Sequence, residues 1–362
     1  MWPDRRLLDL FGIDVPIVLA PMAGVMDTDL AIAVAEGGGL ASLPMAMLGE
    51  AQMREQMEKF RAATSKPINL NFFCHTPPVP NNAREHAWRE LLKPYYIEYG
   101  LDPHASVPSS NRMPFDAARC AAVEELKPEV VSFHFGLPAP DLLARVKAAG
   151  CVVMSSATTV AEARWLEARG CDVIIAQGYE AGGHRGMFLS DDLATQVGTF
   201  ALVPQVADAV KVPVIATGGI GDARGIVAAF VLGAAAVQIG TAYNFCAESK
   251  VQPPHRAALK SARDDGTAVT NLQTGRPARG LINRVMRDIG PINAAAPEFP
   301  LAGGALAPLN AKAMAQGSGD FLTMWAGQAA SLGQAFGHEM PARALTQRLA
   351  AEAQALMRKM AL

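Results

Sequence analysis

The chain has 362 residues, with 32 Lys plus Arg against 34 Asp plus Glu, and half of its residues are apolar. That length can bury one large core, or a core with an appendage; the apolar fraction and the net charge of −2 exclude a disordered chain, and no Lys/Arg run is long enough to track the phosphates of a nucleic acid. The five cysteines (Cys74, Cys120, Cys151, Cys171 and Cys246) are odd in number and lack CxxC spacing, so they form neither a disulfide framework nor a zinc site and point to a reducing compartment.

At the N-terminus, Arg5 and Arg6 precede an apolar stretch that Asp9, Asp14 and Pro16 interrupt, which is not the pattern of a signal peptide. Eight short apolar runs follow in order: 15–22, 39–44, 67–73, 130–136, 151–157, 172–180, 212–220 and 235–243. They are near-continuous rather than alternating, as parallel strands buried on both faces require. Helical patterns separate them. Two of these, TTVAEARWLEARG and DARGIVAAFVLG, start at a Thr or Asp suited to an N-cap and stop at glycine. The most apolar segment, 225–240, contains Gly233 and Gln238 and is shorter than the roughly 20 residues a membrane-crossing helix needs. A soluble, cytoplasmic protein is expected, monomeric or homodimeric, with no membrane or nucleic-acid partner.

Eight β/α units in sequence predict an α/β chain folded as a (β/α)8 TIM barrel. An open doubly wound sheet would concentrate its polar tips at one switch point, whereas here nearly every run ends in polar or glycine residues. Two stretches exceed ordinary loop length, Cys74–Pro114 and Asn244–Gly319. The expected organisation is a barrel over 1–243, a small additional domain inserted after strand eight (244–319) covering the mouth, and a helical segment over 320–362 returning to the barrel.

In such barrels chemistry sits at the C-terminal ends of the strands. The seventh and eighth tips read TGGIGD and QIGT, and Gly218 and Gly219 beside Gly240 and Thr241 predict a phosphate site. Asn71 and Gln177 end apolar strands as amides, able to match the edge of a flavin or purine ring or to bond neighbouring backbone. Pro21 and Met22 follow the first strand and suit either a flat ring or core filling. His184, in the glycine-rich EAGGHRG, is a candidate base or anion partner. His134, in SFHFG, reads equally as a pocket residue or a satisfied core histidine. Arg185 is expected in a surface ion pair and Cys74 as inert, while His75, His86, His104, His255 and His338 have no distinguishing context. Few carboxylates occupy the tips, so neither a metal site nor a glycosidase pair is expected.

APMAGV, NLNFFCH, SFHFG, AQGYEAGGHRG, IATGGIGD, QIGT and GRPARG, in this order and spacing, resemble the nitronate monooxygenases of the larger class, over nearly the whole chain. The resemblance implies an FMN-dependent barrel with a small domain over its mouth, oxidising alkyl nitronates, propionate 3-nitronate especially, with O2 and without metal. It places FMN contacts at Pro21, Met22, Ala23, Asn71, Gln177 and Gly182. The phosphate end falls at Gly218, Gly219, Gln238, Ile239 (backbone only), Gly240 and Thr241, the catalytic histidine at His184, and a substrate-pocket histidine at His134. A carboxylated substrate calls for a cation, and the mouth segment offers only Lys312. The competing expectations are an NAD(P)H-dependent FMN reductase of quinones or enoyl thioesters, and a flavin-free phosphate-binding scaffold.

Overall fold

The computed structural model describes residues 2–336 and 339–360. Eleven strands form in chain order: β1 (Ile17–Leu19), β2 (Ala41–Pro44), β3 (Ile68–Phe73), β4 (Val130–His134), β5 (Val152–Ala157), β6 (Val173–Gln177), β7 (Gly183–His184), β8 (Val214–Thr217), β9 (Ala236–Ile239), β10 (Thr267–Thr270) and β11 (Ala278–Leu281). Eight of them, all except β7, β10 and β11, pair in parallel in the order β1-β9-β8-β6-β5-β4-β3-β2. The barrel closes where Leu40 bridges Val18, with Leu40 N–H donating to Ile17 C=O (2.9 Å) and Leu19 N–H to Leu40 C=O (3.0 Å). All eight apolar runs are therefore barrel strands, with side chains buried on both faces.

The helix signals act as their chemistry predicts. Thr159 caps Val160–Ala168 by accepting from Glu162 N–H, and Asp222 caps Ala223–Val231 by accepting from the N–H groups of Arg224 and Gly225. Gly170 and Gly233, at φ of 83° and 97°, take the left-handed turns that end these helices. The helix Ala342–Lys359 packs against Thr28–Glu36 and Ala223–Val231, flanking the strands β1 and β9. Tyr243, just after β9, bonds Thr346 on that helix (2.8 Å).

A second layer covers the C-terminal mouth. Its sheet is antiparallel, in the order β10-β11-β7. The two-residue β7 leaves the barrel after β6 and pairs Gly183 with Arg279 and His184 with Ala278. Beside that sheet a separate apolar cluster joins Trp88, Leu92 and Tyr96 of the helix Asn82–Glu98 to Leu306, Leu309 and Phe321. Trp88 Nε1–H donates to Ala302 C=O (3.0 Å) and the Tyr96 hydroxyl to Ala305 C=O (2.6 Å). The covering layer thus draws on 82–98, 183–184 and 320–326 as well as on 244–319. Among the described residues no helix is long and apolar enough to cross a membrane, and no cluster of His, Cys, Asp or Glu could hold a metal ion. His338 lies outside the described residues.

Candidate active site

The strand tips and the covering layer enclose a cleft of about 1400 Å³, its open mouth included. Pro21, Met22, Ala23, Asn71, His134, Gln177, Gly182, His184, Gly218, Gly219, Gln238, Gly240 and Thr241 all line it. Ile239 is the exception. Its side chain is buried in the barrel core, and its carbonyl accepts from Ala20 N–H (2.9 Å) to hold β9 against β1.

His184 reaches the cleft because β7 is stitched to β11 on one side and to β6 on the other. Gln177 Nε2–H donates to the His184 carbonyl (2.9 Å), while Gln177 Oε1 accepts from Gly186 N–H (2.7 Å). The predicted ring-contacting amide is therefore engaged at both ends in shaping the histidine loop. Asn71 donates to the Ser132 hydroxyl (2.9 Å). Arg185, expected in a surface pair, is fully buried. Its guanidinium donates to Gly178 C=O (2.6 Å), Gln177 C=O (2.8 Å) and Gln196 Oε1 (2.9 Å), satisfying carbonyls that the sharp turn after β6 leaves without ladder partners. Gly182 lets the covering layer approach: a Cβ there would lie 2.6 Å from the Ala326 carbonyl carbon and from Gly327 N.

At His134 the hydrogen bonds assign the tautomer. His134 Nε2 lies 3.2 Å from the His184 carbonyl, which can only accept, so Nε2 carries the proton and Nδ1 accepts from the Ser156 hydroxyl (2.9 Å). Both nitrogens of this pocket residue are occupied, and burial pushes its pKa down to about 3. His184 Nε2 lies 3.0 Å from Thr274 Oγ1, and in the tautomer with Nε2–H donating to Thr274 the lone pair is on Nδ1. Nδ1 of His184 has no protein partner among the described residues. Burial, then the charge of Arg112, holds this imidazole neutral well below its ordinary range. Phe73, Phe135, Phe299 and Trp325 surround the ring with centroids 5.3 to 6.0 Å away. Phe135 adopts a left-handed φ of 72°, a strained backbone of the sort that functional sites hold by surrounding packing.

At the opposite end the cleft is floored by glycine. Gly218 and Gly219 take φ of 109° and 71°, and a Cβ on Gly240 would sit 3.2 Å from Ala20 Cβ and 3.3 Å from Met22 Sδ, narrowing the cradle. Two buried amide oxygens on the lining, Gln238 Oε1 and Asn244 Oδ1, lack hydrogen-bond partners among the described residues. Buried acceptors of this kind call for O–H or N–H donors from a bound molecule.

Several lining or near-lining residues carried no sequence signal: Arg112 in SSNRMP, Thr274, Phe299, Trp325 and Asn244. His75 is buried among Phe73, Phe135 and Phe299, and its pKa falls to about 4 through burial and the nearby Arg276. Lys312 is exposed on the helix Gly303–Ala315 and does not line the cleft. The thiol of Cys74 has its pKa raised by burial.

A family model described as nitronate monooxygenase matches residues 4–352. A nitronate monooxygenase of Pseudomonas aeruginosa is 41% identical over 350 residues, covering 96% of this chain and 98% of its own. One from Paraburkholderia phytofirmans is 42% identical over 351 residues, covering 96% and 94%. Among solved structures, a nitroalkane oxidase from Streptomyces ansochromogenes superposes with a TM-score of 0.87 at 36% identity, covering 98% of this chain and 99% of that one. FabK from Thermotoga maritima superposes with a TM-score of 0.74 at 28% identity, covering 98% of each chain.

Proposed function

The chain belongs to the nitronate monooxygenase family and oxidises nitronates, and from that premise we propose that it uses FMN and O2 to convert alkyl nitronates, propionate 3-nitronate foremost, to a carbonyl compound and nitrite or nitrate. The observation that carries this reading is one cleft with a glycine-floored end, two orphaned amide acceptors and, at the other end, a neutral histidine in an aromatic box. No carboxylate lies on its lining.

The residues present fit FMN. The hydroxyls of a ribityl chain and the N–H of a flavin ring are the donors that Gln238 Oε1 and Asn244 Oδ1 lack. Gly218, Gly219, Gly240 and Thr241 suit the phosphate, where missing side chains let it approach the backbone. Pro21, Met22, Ala23, Asn71 and Gly182 would flank the ring. FMN bound there supplies the acceptor for the electrons that leave the nitronate.

The protein's own contribution is placement, charge and proton handling. His184 Nδ1 offers a lone pair to the acidic carbon of a neutral nitroalkane, so that a nitronate forms inside the cleft when one is not supplied. Once protonated, the same imidazolium stabilises the anion it has produced. Thr274 holds the ring from behind, and Gln177 and His134 fix the backbone through the shared His184 carbonyl. His134 contributes ring surface to the pocket, since both of its nitrogens are bonded. The aromatic box and the covering layer limit water around the reacting anion.

The fold is also similar to that of FabK from Thermotoga maritima, and the second reading is a reductase in which reduced nicotinamide donates to the flavin. One experiment separates the two: the anaerobic visible spectrum of the purified protein, with propionate 3-nitronate added to one sample and NADH to another. Prompt bleaching by the nitronate alone is the expected result. Bleaching by NADH alone moves the chain to the reductase reading, and a preparation without a flavin spectrum overturns both.

A further inference from the structure

We propose that Arg112 is the specificity-determining residue of this cleft, its guanidinium receiving the carboxylate of a carboxylated nitronate; the inference rests on the nitronate reading above and deepens it. Arg112 is the one side chain on the lining that carries a full charge at neutral pH, and no Asp, Glu or Lys lies there. Among the described residues no carboxylate or hydrogen-bond acceptor pairs with its guanidinium. The contrast with Arg276 is instructive. Arg276 lies over the Phe135 ring (4.2 Å), donates to the Met187 carbonyl, and is offset by the charges of Asp191 and Glu162. For Arg112 only burial acts on the guanidinium, pushing its pKa down without any acid to restore it. A half-buried cation lacking a counter-ion inside a substrate cleft is a receptor for an anion.

The segment that carries Arg112 is tied to the barrel tips. Met113 N–H donates to Ala46 C=O (3.2 Å) beyond β2, and Phe115 N–H to Phe73 C=O (2.7 Å) at the end of β3. Asn111 Nδ2–H reaches Met47 C=O (3.3 Å). These ties limit the ordering that binding would otherwise require. Around His184 the charged and titratable neighbours are Arg112, His134, Arg276 and His75, with no acid among them. A dianion with a nitronate at one end and a carboxylate at the other therefore meets a positive field at the His184 end and a forked donor in Arg112. Lys312, exposed outside the cleft, is not available for this role.

The test is the ratio of kcat/KM for propionate 3-nitronate to that for propyl-1-nitronate, in the wild type and in Arg112→Met and Arg112→Lys. The wild type is expected to favour the carboxylated substrate. In Arg112→Met the ratio should fall by roughly 10- to 100-fold, mainly through KM, as expected for a lost charge-assisted bond. Arg112→Lys should restore part of it, retaining the charge but not the fork. A wild type indifferent to the carboxylate, or an Arg112→Met ratio equal to wild type with the two substrates affected alike, overturns the assignment while leaving nitronate oxidation standing. A wild type that oxidises neither substrate overturns the nitronate reading itself. Because the wild-type preference is measured without any variant, the assignment stays falsifiable even if Arg112→Met fails to fold.

Discussion

His184 shows how a single side chain's role depends on atoms far away in sequence. Its position in EAGGHRG and at a strand tip marked it as a candidate, yet which nitrogen is free follows from Thr274, 90 residues further on. With Nε2 against Thr274 and burial lowering the ring's pKa, Nδ1 is the nitrogen open to the cleft that the proposed base chemistry would use. His184→Asn should therefore retain bound FMN but lower turnover of nitroethane about 100-fold or more. Oxidation of preformed ethyl nitronate should fall much less, because its proton is already gone. Steady-state rates on the two substrates check this, and nitroethane turnover near the wild-type rate would remove His184 as the base. Arg112 and Arg185 were illegible in the sequence for a common reason: whether an arginine faces water, a carbonyl or a ligand depends on which chain segments surround it.

At the scale of elements, the strands were the most legible feature. All eight apolar runs became barrel strands because burial on both faces leaves a continuous signature that turns and helices do not share. The short β7 had no such signature, being two residues long and paired with β11 almost a hundred residues away. Its position depends on Arg185, which ties the end of β6 to the segment after His184. Arg185→Met removes three donors, so Gln196 Oε1 and the Gln177 carbonyl lose the guanidinium and the Gly178 carbonyl keeps only Ala181 N–H (3.1 Å). Unfolding free energy from urea titration should drop by about 3 kcal/mol, with poorer turnover in the protein that remains folded. A loss below about 1 kcal/mol would mean that the turn is held by other contacts.

Across the whole molecule, several histidines are buried in neutral form, and that sets the response to acid. His75 and His255 have pKa values pushed down to about 4, and His134 to about 3, burial being the largest cause in each. Above pH 6.5 these groups are neutral in both folded and unfolded chains and contribute no slope. Below it the unfolded chain takes up protons that the folded one refuses, so stability falls as pH drops from 6.5 towards 4. Each such histidine contributes up to about 1.4 kcal/mol per pH unit. Thermal midpoints should be level from pH 8 to 7 and decline steadily below 6.5; a midpoint unchanged down to pH 5 would contradict this burial.

From its sequence alone, the chain determined the barrel, the order of its strands and the glycine-rich tips at its mouth. Those features arise from local periodicity, turn chemistry and burial on both faces, all of which act over a few residues. Only the tertiary structure decided that 82–98 and β7 join the covering layer, the free nitrogen of His184, the buried role of Arg185, the core position of Ile239 and the unpaired charge of Arg112. Each of these depends on contacts between segments distant along the chain, where burial and the choice of hydrogen-bond partner are set by packing.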